Sequence, residues 1–278
     1  MELSSPLKIK RIVAGGWGLT HMGAKVTFVR GVLPDEMVTV TPVESHRAYQ
    51  FATVDHLHEV SPDRIAPPCP LYGQCGGCQF QHVRYETQLR YKQVMLEEAF
   101  SRIAHIGVEC FLPPVPSPFP YQYRQWVRFS VFQDHKTFHL GFRQERSHKA
   151  VKCTDCLLVP DSIRAVSEEL NVRLAAMTRM PSYVSSIEVR VSGAFGSCML
   201  LVKSPQLNQG QARSLLEIFR GIQSVTGCIV AAALPPYRRK HAPVRLVEGE
   251  DHLFEQFHAA TFRVSDRSFM QANWQSIP

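Results

Sequence analysis

The chain of 278 residues lacks an apolar run of membrane-spanning length, a low-complexity tract and an internal repeat. These absences exclude an integral helical membrane protein, a disordered tail and a solenoid. The opening MELSSPLKIKRIVAGG has no basic region followed by an apolar stretch and a small-residue cleavage site, so no secretory leader is visible and a cytosolic location is expected. Charge is only moderately one-sided. Lys plus Arg number 31 against 24 acids, a formal +7, which favours an anionic partner without naming one. At roughly 150 residues per domain, the length predicts two domains or three small ones.

Short strands with turns fill residues 7 to 60: Lys8 to Val13, Lys25 to Val29, Met37 to Pro42 and Gln50 to His56, with Gly15-Gly16-Trp17-Gly18 as a turn. Val26/Phe28, Val38/Val40 and Ala52/Val54 alternate with polar residues, as in a small β-barrel, a fold that often binds nucleic acid. After a cysteine-rich stretch, the spacing predicts a helix to about Ile103 with Leu89, Leu96, Ala99, Phe100 and Ile103 on its apolar face. Pro113, Pro114, Pro116, Pro118 and Pro120 read as a stiff linker. A hairpin follows, Tyr123 to Phe132 and Phe138 to Arg143, turning at Gln133-Asp134-His135-Lys136. Beyond it the pattern predicts a helix capped by Asp161 with Ile163, Val166, Leu170, Leu174 and Met177 inward, strands Ile187 to Val191 and Cys198 to Val202, a helix carrying Ala212, Leu215, Leu216, Phe219 and Ile222, and a strand from Cys228 to Leu234.

The strongest chemical signal is Cys69, Cys75 and Cys78 in CPLYGQCGGCQFQH. In a reducing compartment such thiols point to metal before disulfides, and the glycines between the last two let the chain bend round one centre. The competing reading is a group of buried free thiols. Three thiolates leave a structural site open, and the candidates for a fourth are Cys153 and Cys156, with Cys110, Cys198 and Cys228 in poorer contexts. Spacing alone does not separate zinc from an iron–sulfur cluster.

In YRQWVRFSV, period-two alternation puts Arg124, Trp126, Arg128 and Ser130 on one face and Gln125, Val127, Phe129 and Val131 on the other. Pairing with HLGFR places Leu140 and Phe142 on the core side and His139 and Arg143 beside the arginines, with Arg146, His148, Lys149 and Lys152 in the next loop. Guanidinium groups around an indole suit a phosphate backbone with an unstacked base. The plainer reading is a solvated strand face with a packed Trp, and Arg238-Arg239-Lys240-His241 is read as a solvated loop.

The stretch CPLYGQCGGCQFQHVRYETQLRYKQ resembles the iron–sulfur segment of the RNA (uracil-5-)-methyltransferase family, in its ribosomal-RNA 5-methyluridine branch. IVAGGWGLTHMGAKVTFVRGVLPDEMVTV resembles a TRAM domain; YRQWVRFSV, LGFRQERSHKAV and CLLVPDSI resemble the central domain; and FRVSDRSFMQAN resembles the entry to the methyltransferase domain. The resemblance implies an α+β chain: a small N-terminal TRAM/OB-like β-barrel over 1–60, an iron–sulfur cysteine segment and helix over 61–104, a central RNA-binding α/β domain over 105–235, and the first part of a Rossmann-like methyltransferase domain over 236–278. It implies Cys69, Cys75, Cys78 and Cys156 as ligands of a [4Fe-4S] cluster. Cys156 stands directly before Leu157-Leu158, although Leu157 replaces the family's proline. It also implies RNA contacts by Arg124, Trp126, Arg128, Arg143 and His148, where Tyr123-Arg124-Gln125-Trp126 lacks one cation of the family's Tyr-Arg-Asn-Lys.

The implied reaction uses a cysteine thiolate to attack C6 of a flipped-out uracil, so that C5 takes the methyl of S-adenosyl-L-methionine. Gln271 matches a family residue that contacts the methyl donor; a plain helix-capping role is the alternative. None of the eight cysteines occupies the catalytic position, and no acidic strand end leads into a Gly-x-Gly loop. The expectation is therefore the RNA-binding N-terminal part of a 23S rRNA enzyme, C-terminally truncated and inactive by itself. The alternative is a non-enzymatic RNA-binding iron–sulfur module, or a subunit completed by a separate methyltransferase chain. A radical enzyme with a three-cysteine cluster is excluded by the five-residue gap between Cys69 and Cys75.

Overall fold

The protein, seen in a computed structural model, is described over residues 5–107, 109, 111–153, 155–232 and 244–276. It divides into two compact units, Met1–Pro116 and Ser117–Pro278, with the boundary inside the proline run. The basic run at 238–241, Leu234 and Cys110 lie outside the described residues.

In the first unit β1 (Leu7–Lys8), β2 (Arg11–Val13), β3 (Trp17–Met22), β4 (Lys25–Arg30), β5 (Met37–Ser45) and β6 (Tyr49–Glu59) form one sheet, ordered β1-β5-β6-β4-β3-β2. The expected strand Lys8 to Val13 is two strands, and the break explains the closure. β1 pairs with β5 at one edge while β2, three residues on, pairs with β3 at the other, so one short stretch of chain curls the sheet shut. The amide of Lys10 donates to the carbonyl of Leu19 at 2.9 Å, and Thr20 Oγ1 donates to the carbonyl of Lys8 at 2.7 Å, stitching the seam. Ile9, Val29, Val32, Val38, Val40 and Ala52 fill the interior. The glycine turn ends sooner than expected, because Trp17 and Gly18 already pair with Arg30 and Val29.

Glu36 is fully buried and ties the barrel to the segment after it. It accepts from the amides of Leu33 (2.7 Å) and Ser61 (3.2 Å) and from Arg64 at 2.6 and 2.7 Å. α1 (Tyr85–Ala99) follows and continues as a π-turn over Phe100–Ala104. Its expected apolar face is not what packs. Thr87 is the buried position and Arg11 reaches Glu98 at 2.7 Å, whereas Leu96, Phe100 and Ile103 are exposed.

In the second unit β7 (Trp126–Asp134), β8 (Thr137–Arg143), β9 (Ala150–Lys152), β10 (Ser186–Val191), β11 (Cys198–Ser204), β12 (Val225–Ala232) and β13 (Arg245–Gly249) form a mixed sheet ordered β13-β12-β11-β10-β7-β8-β9. Only β11 and β12 run parallel, joined through α3 (Gln209–Phe219). α3 begins with a capping box: Asn208 accepts from the Gln211 amide and Gln211 accepts from the Asn208 amide. α2 (Asp161–Ala175) starts at its expected cap rather than after it; Pro160 takes the cap position, and Asp161 is the acid of the first turn, where it complements the helix dipole.

One face of this sheet is the main core. Val127, Phe129, Ile187, Val189, Leu200 and Val230 meet Ile163, Val166, Leu170 and Leu174 of α2 and Leu215 and Phe219 of α3. The other face is covered in part by a hairpin, β14 (His252–Phe257) and β15 (Ala260–Ser265), through a small cluster of Met199, Leu201, Ile229 and Leu253. Gly227 permits the approach of the segment leading into this hairpin, since a Cβ there would stand 1.8 Å from the carbonyl oxygen of Glu250.

Candidate nucleic-acid interface

The cysteine knuckle belongs to the first unit. Tyr72 and Cys75 amides close tight turns onto Cys69 and Leu71 carbonyls at 3.0 and 2.9 Å, with Gly73 at φ +84°. The Cys69 amide donates to Gln81 Oε1 at 3.2 Å, and the Gly77 amide donates to Cys75 Sγ at 3.4 Å. Behind the knuckle Tyr72 donates to the Gln79 carbonyl at 2.8 Å and sits 2.6 Å from Nδ1 of buried His82. Burial pushes the Tyr72 hydroxyl up to about 12. Burial, with the Arg64 charge, pulls the His82 imidazole down to about 4.

Cys69, Cys75 and Cys78 are half-buried. Among the described residues no three His, Cys, Asp or Glu side chains are gathered closely enough to hold a metal ion. Cys156 lies in the second unit, packed against the edge of its main core, and Cys153 is buried nearby in sequence. Cys198 and Cys228 stay thiols, pushed up to about 11 and about 12 by burial.

On the barrel, Thr27 and Val29 face inward and Phe28 faces outward. Phe28, Phe51, Trp17 and Tyr49 form a continuous, half-exposed aromatic group with ring centroids 5.0 to 6.2 Å apart, and the Arg30 guanidinium stands 3.9 Å over Trp17.

In the second unit the alternation of β7 is as expected: Val127 and Phe129 are buried, while Trp126, Arg128 and Ser130 face the other way. β8 pairs through Ser130 with Gly141 and Val131 with Leu140, so Leu140 lies inward and Phe142 packs on Phe129 at 5.2 Å. Arg143 reaches Ser130 Oγ at 3.5 Å and hydrogen-bonds His148 Nδ1, bringing two of the expected RNA contacts together. Arg124 is half-buried, its amide bonded to the Leu158 carbonyl at 2.8 Å.

The centre of the cationic face holds an acid that the sequence reading missed. Glu188 on β10 lies opposite Arg128 and is entirely buried. Its Oε1 accepts from Arg128 Nε at 2.9 Å and from Lys203 at 3.2 Å, while Oε2 has Arg190 at 3.7 Å and no hydrogen-bond donor. Burial pushes its carboxyl up, but Arg128 and Lys203 outweigh burial and hold it below the ordinary range, so it is ionised at neutral pH. The signal was present in SIEVRV, where Glu188 and Arg190 alternate with apolar neighbours, and in Lys203 at the end of β11.

Between this face and the hairpin lies a cavity of about 330 Å³, lined by Gln125, Trp126, Arg128, Glu188 and Lys203 on one side and by the segment through Phe269 and Met270 on the other. Arg190 holds that segment by donating to the carbonyls of Ser265, Asp266 and Ser268 at 3.1 to 3.3 Å. The Gln125 amide donates to the Ala272 carbonyl at 3.2 Å, and Gln271 beside it is exposed.

A closed barrel followed by a mixed sheet with a cationic, aromatic outer face is an arrangement suited to RNA, and the sequence is similar to RNA methyltransferases along most of its length. An uncharacterized RNA methyltransferase of Thermotoga maritima is 29% identical over 280 residues, spanning 96% of this chain and 62% of that protein. One of Halalkalibacterium halodurans is 28% identical over 273 residues, 92% of the chain and 59% of that protein. The 23S rRNA (uracil(1939)-C(5))-methyltransferase RlmD of Bordetella parapertussis is 32% identical over 184 residues, 66% of the chain and 39% of that protein. The chain thus spans about three-fifths of the length of the first two of these relatives. Its fold is similar to that of the tRNA (uracil-54, C5)-methyltransferase of Pyrococcus abyssi, with a TM-score of 0.68 and 18% identity, covering 97% of this chain and 62% of that one. No family model matches.

The proteins this chain is similar to are thus RNA methyltransferases, and those with a named target act on uracil at C5. No helix among the described residues is long and apolar enough to cross a membrane.

Proposed function

We propose that these residues are the RNA-binding part of an S-adenosyl-L-methionine-dependent RNA uracil-C5 methyltransferase acting on 23S ribosomal RNA. The observation that carries this reading is the outer face of the mixed sheet, where Trp126 stands among Arg128, Arg190 and Lys203 beside a cavity. Such a face can hold a phosphate by ion pairing and an unstacked base by stacking. The aromatic group on the barrel, capped by Arg30, supports the same reading independently. Arg124, Arg143 and His148 complete the proposed RNA contacts.

When bound, S-adenosyl-L-methionine supplies the methyl group. Gln271, exposed in a segment anchored to the start of β7, is the residue here proposed to touch it. The 278 residues by themselves are expected to form no 5-methyluridine on unmodified rRNA, because the nucleophilic cysteine and the glycine-rich loop are not among them. Product detected by nucleoside mass spectrometry would overturn that expectation.

The knuckle offers the donor chemistry of a thiolate-held group, three cysteines in one tightly turned loop, although their side chains are not gathered round one centre. We assign Cys69, Cys75 and Cys78, with Cys156 as fourth ligand on its sequence context, to a [4Fe-4S] cluster. Anaerobic purification with iron and acid-labile sulfide assays tests this. Cys156→Ser should lower iron far more than Cys153→Ser, and equal losses would reassign the fourth ligand. Zinc without sulfide would replace the cluster by a structural zinc site.

The RNA reading is tested by titrating the chain with rRNA fragments at increasing salt. Affinity should fall steeply with salt, as counterions are released. A lack of binding at low salt would sink the reading.

A further inference from the structure

Glu188 is 0% exposed and has no surface to offer a ligand. Its influence on anything bound at this face must run through the cations it holds. β10 lies between β7 and β11, and each neighbour sends one cation across to it. Arg128 stands directly opposite Glu188, and Lys203, paired with Ser186, is one diagonal step away on the same face. Three donors meet on Oε1: Arg128 Nε at 2.9 Å, Arg128 Nη2 at 2.5 Å and Lys203 Nζ at 3.2 Å. That grip uses one edge of the guanidinium. Arg128 Nη1 bonds to no described residue, and Lys203 Nζ keeps two further N–H groups. Both side chains line the cavity and stay open to water, 54% and 28% exposed. Arg190 is committed elsewhere, to the carbonyls of Ser265, Asp266 and Ser268.

Two cations this close repel each other unless an anion lies between them, and a charge-assisted hydrogen bond also fixes direction. We propose that Glu188 is a positioning residue for RNA: it holds Arg128 and Lys203 side by side so that their spare donors are presented to a phosphate at the cavity, an inference that rests on the RNA-binding function proposed above. Long cationic side chains left unheld would give up rotamer freedom at each binding event. The carboxylate's own charge acts in the other direction, because a negative group beneath an anion site weakens it. Positioning and charge counting therefore predict opposite outcomes for Glu188→Gln. The amide keeps the size of the side chain, loses the charge that holds the two cations together, and raises the net charge by one.

The test measures binding of the intact chain to end-labelled rRNA fragments by fluorescence polarisation across a salt series, with folding of each variant checked by circular dichroism. Glu188→Gln should bind about tenfold weaker, and its slope of log affinity against log salt should be less negative by roughly one to two, as one or both phosphate contacts are lost. Combined with Arg128→Gln, the loss should be smaller than the product of the two single losses, because Glu188 then has one cation fewer to position. A merely structural acid would give losses that multiply and an unchanged slope. Arg128→Lys leaves Glu188 in place and keeps the test open if Glu188→Gln does not fold. One ammonium cannot grip Oε1 with two nitrogens and present a third, so Arg128→Lys should bind as weakly as Arg128→Gln. Unchanged or tighter binding by Glu188→Gln, losses that multiply, or native affinity in Arg128→Lys would overturn the positioning role while leaving RNA binding intact. Absence of binding by the unaltered chain at low salt would overturn the RNA reading and this role with it.

Discussion

The two units each bury a glutamate among arginines, and the two acids behave differently. Glu36 in the first unit has both oxygens occupied, by two amides and both arms of Arg64. Glu188 in the second unit crowds its partners onto Oε1 and leaves Oε2 without a donor beside a cavity. A third acid, Glu255, resembles Glu36: it is 1% exposed and accepts from the amides of Gly193 and Ala194 at 2.9 and 3.0 Å. A buried carboxylate whose lone pairs are all taken closes a piece of structure. One with a lone pair left over keeps hydrogen-bonding capacity that the fold has not used.

The largest effect is expected where the satisfied acid is removed. Glu36→Ala leaves two amides without their acceptor and Arg64 with the Gly31 carbonyl but no counter-charge, and should cost about 3–5 kcal/mol in urea denaturation. A loss under about 1 kcal/mol would break the contrast, since stripping a buried charge of its partner is costly.

Acid should then separate the two units. His82 has a folded pKa of about 4 against 6.5 unperturbed, so the folded state takes up its proton later than the unfolded state. Stability should therefore decline as pH falls from about 6.5 to about 4, by up to about 3 kcal/mol. Glu188 is shifted the opposite way relative to its charge: its folded pKa is depressed, so its contribution is present above the ordinary value of 4.5 and is lost only as pH falls below it. Hydrogen exchange at pH 5 should show the first unit loosened and the second intact. Loosening of both alike, or of neither, would contradict the His82 assignment.

Glu188→Ala should cost less than Glu36→Ala, about 1–3 kcal/mol, because Arg190 keeps its three carbonyl partners and Arg128 is half exposed to water. Denaturation of the two variants side by side measures the difference. The smallest expected effect is on binding. Arg128→Gln should make the slope of log affinity against log salt less negative by about one, as one phosphate contact is lost. An unchanged slope would remove Arg128 from the interface.

Much of this was legible beforehand. The alternation in YRQWVRFSV put Trp126 and Arg128 on one face and Val127 and Phe129 on the other, and the strand has that arrangement because side chains alternate whatever the neighbours. The stripe of α2 was equally readable from Ile163, Val166, Leu170 and Leu174. Leu96, Phe100 and Ile103 misled, because helical spacing reports which residues share a face but not whether anything covers it. The split of Lys8 to Val13 also escaped notice, since a strand that borders both edges of a closed sheet looks locally like one strand.

By itself, then, the sequence determined the periodic features: which side chains share a strand or helix face, where prolines divide the chain, and that three cysteines sit in one glycine-rich loop. Tertiary structure alone decided that β7 lies beside β10 and that Arg128 therefore meets Glu188, sixty residues away, beneath the segment carrying Phe269. The reason is physical. Periodicity is a property of consecutive residues, whereas strand order depends on which distant surfaces bury the most apolar area together, and a carboxylate's partners are set by that order.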